Sequence, residues 1–455
     1  MRQKQANFTE GKLFFPILLF TLPIIATGIL QLLYNMADQI VVGQFSGDAN
    51  ALGAVGSSSA LNSLFVNIFM GITAGSSVVI SQFLGARRHD EIEKAVHTSI
   101  ALGIITGVGL GVVAFFLARP LLVLLGTKNA LLASATTYVR IIACGLPFSA
   151  VYNFGAAVLR SAGDSKTPLG ILATSGLVNV LFNLLFVIVF HMSVAGVALA
   201  TVLSQAVSAV WVLLVLARRD AVYKLSLRRV RIEGDALRRI LRIGVPSALQ
   251  SSLFSVSNMI IQSAVNTFPT TSVSGFAVSG TVEGFTYTTM HSFYQASVTF
   301  TGQNFGAKNR ARLRKVLLYT LLQVVLAGAL VGWLEILFAP EISSLFIDTT
   351  LPEAPLVIAA AVERSKVILS LYFVCGIMEV MAGYLRGVGC SVMPMISSVF
   401  GVCCFRAAWV FLVFPYLPQT AFSLFVAYIF SWLIVIAMHL VTTIVVGRRM
   451  KKELG

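Results

Sequence analysis

Residues 13–42 read LFFPILLFTLPIIATGILQLLYNMADQIVV, thirty residues with a single charge, Asp38. An apolar helix of about 20 residues crosses a hydrocarbon core roughly 30 Å thick, so this run is long enough to span a membrane. It is read as a retained span. It is too long for a cleaved signal, has no small-residue cleavage site and turns polar in its second half. Working outward, eleven further apolar runs follow, at 52–82, 95–117, 130–158, 168–190, 193–217, 240–266, 276–302, 316–338, 366–385, 394–415 and 420–447. The expected fold is an all-α polytopic membrane protein with twelve transmembrane helices.

Composition agrees. The 455 residues are 57% apolar and 11% charged, with a mean hydropathy of +0.87. Soluble globular chains carry about 25% charged residues. A soluble enzyme, a disordered scaffold and a secreted disulfide module are all excluded. The five cysteines (Cys144, Cys375, Cys390, Cys403 and Cys404) lie in or beside apolar runs with no CxxC pair. They are read as small buried hydrophobes.

The chain holds 33 Lys+Arg against 18 Asp+Glu, a net charge of +15. In a soluble protein that excess would suggest nucleic acid. Here its placement decides. The N-terminus, the loops 83–94, 159–167, 218–242, 303–315 and 386–393, and the C-terminal tail together hold 27 Lys+Arg. The alternate loops, 43–51, 118–129, 191–192, 267–275, 339–366 and 416–419, hold four: Arg119, Lys128, Arg364 and Lys366. The positive-inside rule then puts both termini in the cytoplasm of a multi-pass plasma (inner) membrane protein. The basic face meets the anionic headgroups of the lipid bilayer, and no nucleic acid is expected.

The chain repeats itself. Pro23 and Asn35-Met36 recur as Pro246 and Asn258-Met259, 223 residues on. The stretch 82–87, QFLGAR, recurs as 303–308, QNFGAK, at an offset of 221. Leu159-Arg160, Gly163, Ser165 and Pro168 recur as Leu385-Arg386, Gly389, Ser391 and Pro394, at an offset of 226. Each copy has six spans, an even number, so both enter from the same side. The expectation is two six-helix bundles related by a pseudo-two-fold axis along the membrane normal. The N-terminal lobe is residues 1–217, a basic cytoplasmic linker covers 218–239, and the C-terminal lobe is 240–455. Glycines spaced by four, as in Gly103, Gly107 and Gly111, read as close helix packing in lipid.

Polar residues inside spans are costly and need a reason. In span 1, Gln31, Tyr34, Asn35 and Asp38 share one helical face. A lone carboxylate in apolar surroundings is expensive to keep charged, so Asp38 is a candidate proton carrier or cation ligand. Asn179 and Asn183 share one face of span 5, with Asn183 at a depth similar to Asp38, and span 6 adds Thr201, Ser204 and Gln205 near mid-depth. Oxygen donors from three helices suit a small cation or a proton; interhelical hydrogen bonding is the structural alternative. In the second lobe, Glu283, Tyr287, His291 and Gln295 lie on one face of span 8. Glu379 lies in span 10 and Arg406 in span 11. Either these acids pair with Arg406, or Glu283 and Glu379 draw a cationic substrate into the cleft between lobes. Tyr34, Gln205, Tyr287 and His291 are the remaining candidates for lining that cleft.

Several motifs are missing. There is no phosphate loop for ATP, no HExxH or GxSxG, and no metal-spaced His/Cys cluster. No cofactor, no metal and no enzymatic activity are expected, apart from a weak Na⁺ site at Asp38.

The segment Leu33-Tyr34-Asn35-Met36-Ala37-Asp38-Gln39-Ile40-Val41-Val42-Gly43, both QxxGA(R/K) loops and the paired Leu-Arg-x-x-Gly motifs resemble the multidrug and toxic compound extrusion (MATE) family over essentially the whole chain. The resemblance implies two six-helix bundles in a V and alternating access. It also implies export of lipophilic, often cationic compounds in exchange for H⁺ or Na⁺. In members with a first-lobe ion site, the acid of span 1 matches Asp38, an Asn matches Asn179 and a Thr matches Thr201. A second Asp often follows that Asn by four residues; here the position is Asn183, which favours H⁺ over Na⁺. An acid of span 10 in some members falls on Cys375, with Glu379 one turn later. The reading is thus a cation-coupled antiporter for small-molecule substrates, sufficient as a monomer. A flippase for a lipid-linked precursor is the alternative, and it would need a basic cleft.

Overall fold

The computed structural model describes residues 8–45 and 51–454. The expected outer loop at 43–51 and the first basic residues of the N-terminus fall largely outside the described residues. Among those described, the chain is helical, with no strand. This is what an apolar environment dictates, because backbone N–H and C=O groups there find partners only along their own helix.

The helices are α1 (Phe14–Phe45), α2 (Ala51–Gly85), α3 (His89–Leu124), α4 (Asn129–Ser161), α5 (Lys166–Leu184), α6 (Ser193–Arg218), α7 (Gly234–Val265) and α8 (Thr270–Gly306). Then follow α9 (Arg310–Leu337), α10 (Ala339–Ser344), α11 (Ala354–Leu369), α12 (Tyr372–Gly387), α13 (Val392–Ser398), α14 (Phe405–Ala408) and α15 (Ala421–Leu454). A π turn, Leu185–Val189, extends α5, and two more, Val399–Cys404 and Trp409–Val413, bracket α14 in a single span that runs to Tyr416. Nine of these segments are long and apolar enough to cross a membrane, and α11 with α12 makes a tenth if the bent pair is one span. Helices α7 and α8 are also long enough, at 32 and 37 residues, but carry more polar side chains. With them the count is the expected twelve.

One expected loop is corrected. The sequence reads residues 339–366 as an outer loop, with Arg364 and Lys366 among its charges. Instead α11 occupies Ala354–Leu369 and meets α12 at a 45° bend, so the tenth span is a broken helix. The charges in α11 lower its hydropathy and conceal it in the sequence. Arg364 is not a loop residue: it is 7% exposed.

By packing, the described chain divides into two compact units, Ala26–Ala248 and Phe8–Ile25 with Leu249–Gly455. The division passes through α1 and α7. In each it falls two residues after the repeated proline, Pro23 and Pro246.

In the first unit α4 is the hub, packed on α2, α3 and α6, with α5 on α6. The glycine stripe of α3 faces α4. A Cβ on Gly107 would lie 2.6 Å from the Pro147 Cα, and one on Gly111 2.7 Å from the Ala143 carbonyl oxygen. The residues after α6 are tied down on this unit. Ser226 N–H donates to His97 Nε2 at 3.0 Å, and Glu233 N–H to Thr98 Oγ1 at 3.1 Å. In the second unit α8 is the hub, packed on α9, α11 and α12, with α15 on α11 and α12. The segment before α1 is clamped here. Phe8 stacks on Phe300 at 3.9 Å, and Arg312 donates to the carbonyls of Phe8, Glu10 and Gly11.

The repeat is visible in backbone geometry. Gly163 and Gly389 close α4 and α12 at φ 89° and 88°. In both, the following residue bonds back to the leucine five positions earlier, Asp164 to Leu159 and Cys390 to Leu385. This is the Schellman closure. The other pair of corners, after α2 and α8, does the same with Arg87 (φ 55°) and Lys308 (φ 57°) in place of glycine. An L-residue in this conformation costs about 1–2 kcal/mol.

Candidate functional site

In the first unit Asp38, Asn179, Asn183 and Thr201 converge. Asp38 lies near the end of α1 and is 9% exposed. Asn183 Nδ2 donates to its Oδ1 at 2.5 Å. Thr201 Oγ1 of α6 lies 3.4 Å from its Oδ2 and 3.0 Å from the Val197 carbonyl, to which it donates more closely. Asn183 Nδ2 also reaches Asn179 Oδ1 at 3.2 Å, and Asn179 Nδ2 reaches Thr201 Oγ1 at 3.4 Å. Asn179 and Asn183 are buried, at 5% and 0% exposed. Their spacing of four brings both to one face of α5. The π turn begins two residues after Asn183; such turns are frequent at functional sites.

Asp38 forms no ion pair among the described residues, and its partners are neutral amide and hydroxyl groups. Tyr138 of α4, also buried, is within its electrostatic reach. The carboxylate therefore faces α4, α5 and α6 in a polar pocket without a fixed positive charge.

Two first-lobe candidates behave differently. Tyr34 donates its hydroxyl to the Ala173 carbonyl of α5 at 3.1 Å. Its ring occupies the space over Gly176, where an added Cβ would fall 1.9 Å from ring carbons. Gly176 thus lets α1 and α5 approach, which brings Asp38 to Asn183. Asn35 is exposed, and Gln205 lies against Gly145 of α4 with its Oε1 unpartnered. Neither is among the hydrogen-bond partners of Asp38.

In the second unit the acids do not pair with Arg406, the first of the two alternatives the sequence leaves open. Glu283 pairs with Arg364 of α11, Nη2 to Oε2 at 2.6 Å, and accepts from Tyr372 of α12 at its Oε1, at 3.0 Å. Arg364 also donates to Ser279 at 3.0 Å. Glu379 faces His291 Nδ1 at 3.4 Å, and His291 stacks between Tyr287 and Tyr294. Arg406, 2% exposed, instead donates to Ser431 at 3.1 Å and Asn258 at 3.2 Å, with its guanidinium 3.9 Å above the Tyr428 ring. Sequence reading also missed Arg386, buried and bonded to Tyr294 and Gln250. The Leu-Arg motif marks it, but only as a repeat.

The copies differ at the site. At the repeat offsets, Asp38, Asn179 and Asn183 correspond to Ile261, Phe405 and Trp409. The second copy has no carboxylate there. It has Arg406 held by Asn258, the counterpart of Asn35.

The sequence profile of the MatE family matches residues 23–185 and 246–412, one stretch in each copy of the repeat. The chain belongs to the MatE family. It is a multi-pass membrane transporter, of the family its motifs resemble. It is 32% identical over 313 residues to the probable multidrug resistance protein YpnP of Bacillus subtilis, covering 68% of this chain and 69% of that one. It is 24% identical to the probable multidrug resistance protein NorM of Thermotoga maritima, over 87% and 84% of the two chains. Its fold matches a solved outward-facing structure of a multidrug resistance MATE family transporter of the MOP superfamily. The TM-score is 0.91 at 20% identity, over 99% of this chain and 100% of that one.

Proposed function

We propose that this MATE transporter is a proton-coupled multidrug antiporter with Asp38 as the coupling carboxylate. The observation that carries the reading is the Asp38–Asn183 contact. Asn183 turns an N–H donor toward Asp38 where the family often has a second acid. A donor satisfies a carboxylate that loses and regains a proton, but it blocks a lone pair that a metal cation needs. Hard cations are held by cages of oxygen ligands, several of them charged. Here the pocket offers one carboxylate.

Protonation removes the charge of Asp38 and weakens its hold on Asn183 and Thr201. Helix α1 is then free to repack against α5 and α6, which couples proton binding to release of cargo. The names of the relatives, multidrug resistance proteins, support drugs as that cargo, and the family resemblance implies lipophilic, often cationic ones. The basic loops support a plasma-membrane location with both termini cytoplasmic, and two copies of the repeat in one chain support a monomer.

The test uses purified protein in liposomes with a lipophilic cationic dye. A proton gradient drives dye movement in wild type, and Asp38→Asn abolishes it. Movement driven by Na⁺ alone overturns the ion assignment. Full proton-driven movement in Asp38→Asn overturns the role of Asp38.

A further inference from the structure

Glu335 is the one acidic residue of α9 and lies two residues before its end. It is 8% exposed, and its Oε2 has no hydrogen-bond partner. It forms no ion pair among the described residues. Its polar neighbour is Thr286 of α8, fully buried, whose Oγ1 is also unpartnered. Glu283, one turn earlier on α8, lies within electrostatic reach. Glu283 itself is already engaged, because Arg364 and Tyr372 occupy its two oxygens. A second carboxylate buried beside this filled pair, with no cation of its own among the described residues, is costly to keep ionised. A protonated one has a hydrogen to give, and the Thr286 hydroxyl, able to donate to the carboxylate, can turn to accept from the acid. Two free oxygens do not make a metal cage.

We propose that Glu335 is a second proton-binding site, in residues 249–455, with Thr286 as its hydrogen-bond partner. The surroundings give its charge a mechanical lever. One turn before Glu335, Gly332 lies against the Leu369 carbonyl, where a Cβ would be 2.7 Å from the oxygen. Trp333 Nε1 donates to the Ser370 carbonyl at 3.1 Å. Both contacts fall on the break where α11 and α12 bend by 45°. Arg364 from one side of that break and Tyr372 from the other are joined through Glu283. Loss of the proton from Glu335 sets a second negative charge within reach of Glu283 and loosens this clasp.

The role in transport rests on the proton-coupled reading above; proton binding itself is tested without transport. Acid-minus-alkaline infrared difference spectra are recorded on the full chain in liposomes, in H₂O and D₂O. The readout is the carbonyl stretch of protonated carboxyl groups. Glu335→Gln is expected to remove one component. Thr286→Val is expected to shift that component to higher frequency, a change that general loss of fold would not produce. Asp38→Asn is expected to leave the component in place. A Glu335→Gln spectrum identical to wild type, or an unshifted component in Thr286→Val, overturns the proposal. Loss of the Glu335 component with no change in Asp38→Asn supports this site and counts against Asp38 as the coupling carboxylate.

Discussion

Asn183 donates its side-chain N–H to Asp38 at 2.5 Å, across 145 residues of sequence. The contact ties α5 to α1 and, in the proton-coupled reading proposed above, selects the ion. Replacing the donor with a carboxylate reverses that preference. Asn183→Asp is expected to gain Na⁺-driven dye transport. Each 1.4 kcal/mol of added coordination tightens apparent Na⁺ affinity about tenfold, measured from the Na⁺ dependence of the initial rate. Unchanged indifference to Na⁺ would show that Asn183 does not select the ion.

Gly176 gives room to Tyr34. A methyl group there meets the ring at 1.9 Å, so Gly176→Ala forces α1 and α5 apart. Overpacking of this kind costs about 1–3 kcal/mol. Thermal unfolding in detergent should show a lowered midpoint, and Tyr34→Leu in the same chain should restore part of it. The two positions touch, so their effects should not add.

Glu283 and Arg364 form a buried pair that spans α8 and α11. Removing one partner leaves an uncompensated buried charge, at a cost of about 3–5 kcal/mol. Glu283→Gln and Arg364→Met should therefore each destabilise more than the double variant. Equal or additive losses in a double-mutant cycle would place the pair in a solvated environment.

His97 accepts the N–H of Ser226 and holds the segment after α6 on the first unit. Leaving that N–H without a partner costs about 1–3 kcal/mol, and the loss is local. His97→Ala is expected to speed tryptic cleavage at Arg228, Arg229 and Arg231 while leaving the unfolding midpoint of the helices nearly unchanged.

Much of this was legible in the sequence because two periodicities survive in it. The run length of apolar residues marks the spans, and counting along spans 1 and 5 sets Asn183 at the depth of Asp38, with Asn179 one turn away on the same face. What escaped depends on register between distant helices. Arg364 looked like a loop residue because charge lowers the hydropathy of α11. Its partner, Glu283, lies 81 residues away in the chain, and no local pattern announces the pair. Glu335 escaped for the same reason, since a single acid near a span end resembles an interfacial residue. Arg406 was correctly seen as buried, but its neutralising contacts are a ring and two neutral oxygens, which leave no charge pattern to read.

The left-handed corners at Arg87 and Lys308 bear on how the chain is made. Glycine, which closes the other two corners, would spare the backbone about 1–2 kcal/mol at each. It would also delete a positive charge from a short loop, where the machinery that threads nascent helices into a bilayer takes its orientation cue. Both copies keep the charge and accept the strain. If these loops are the cytoplasmic ones, as the charge pattern implies, their backbone geometry is the compromise between the finished fold and the act of insertion that the positive-inside rule expects.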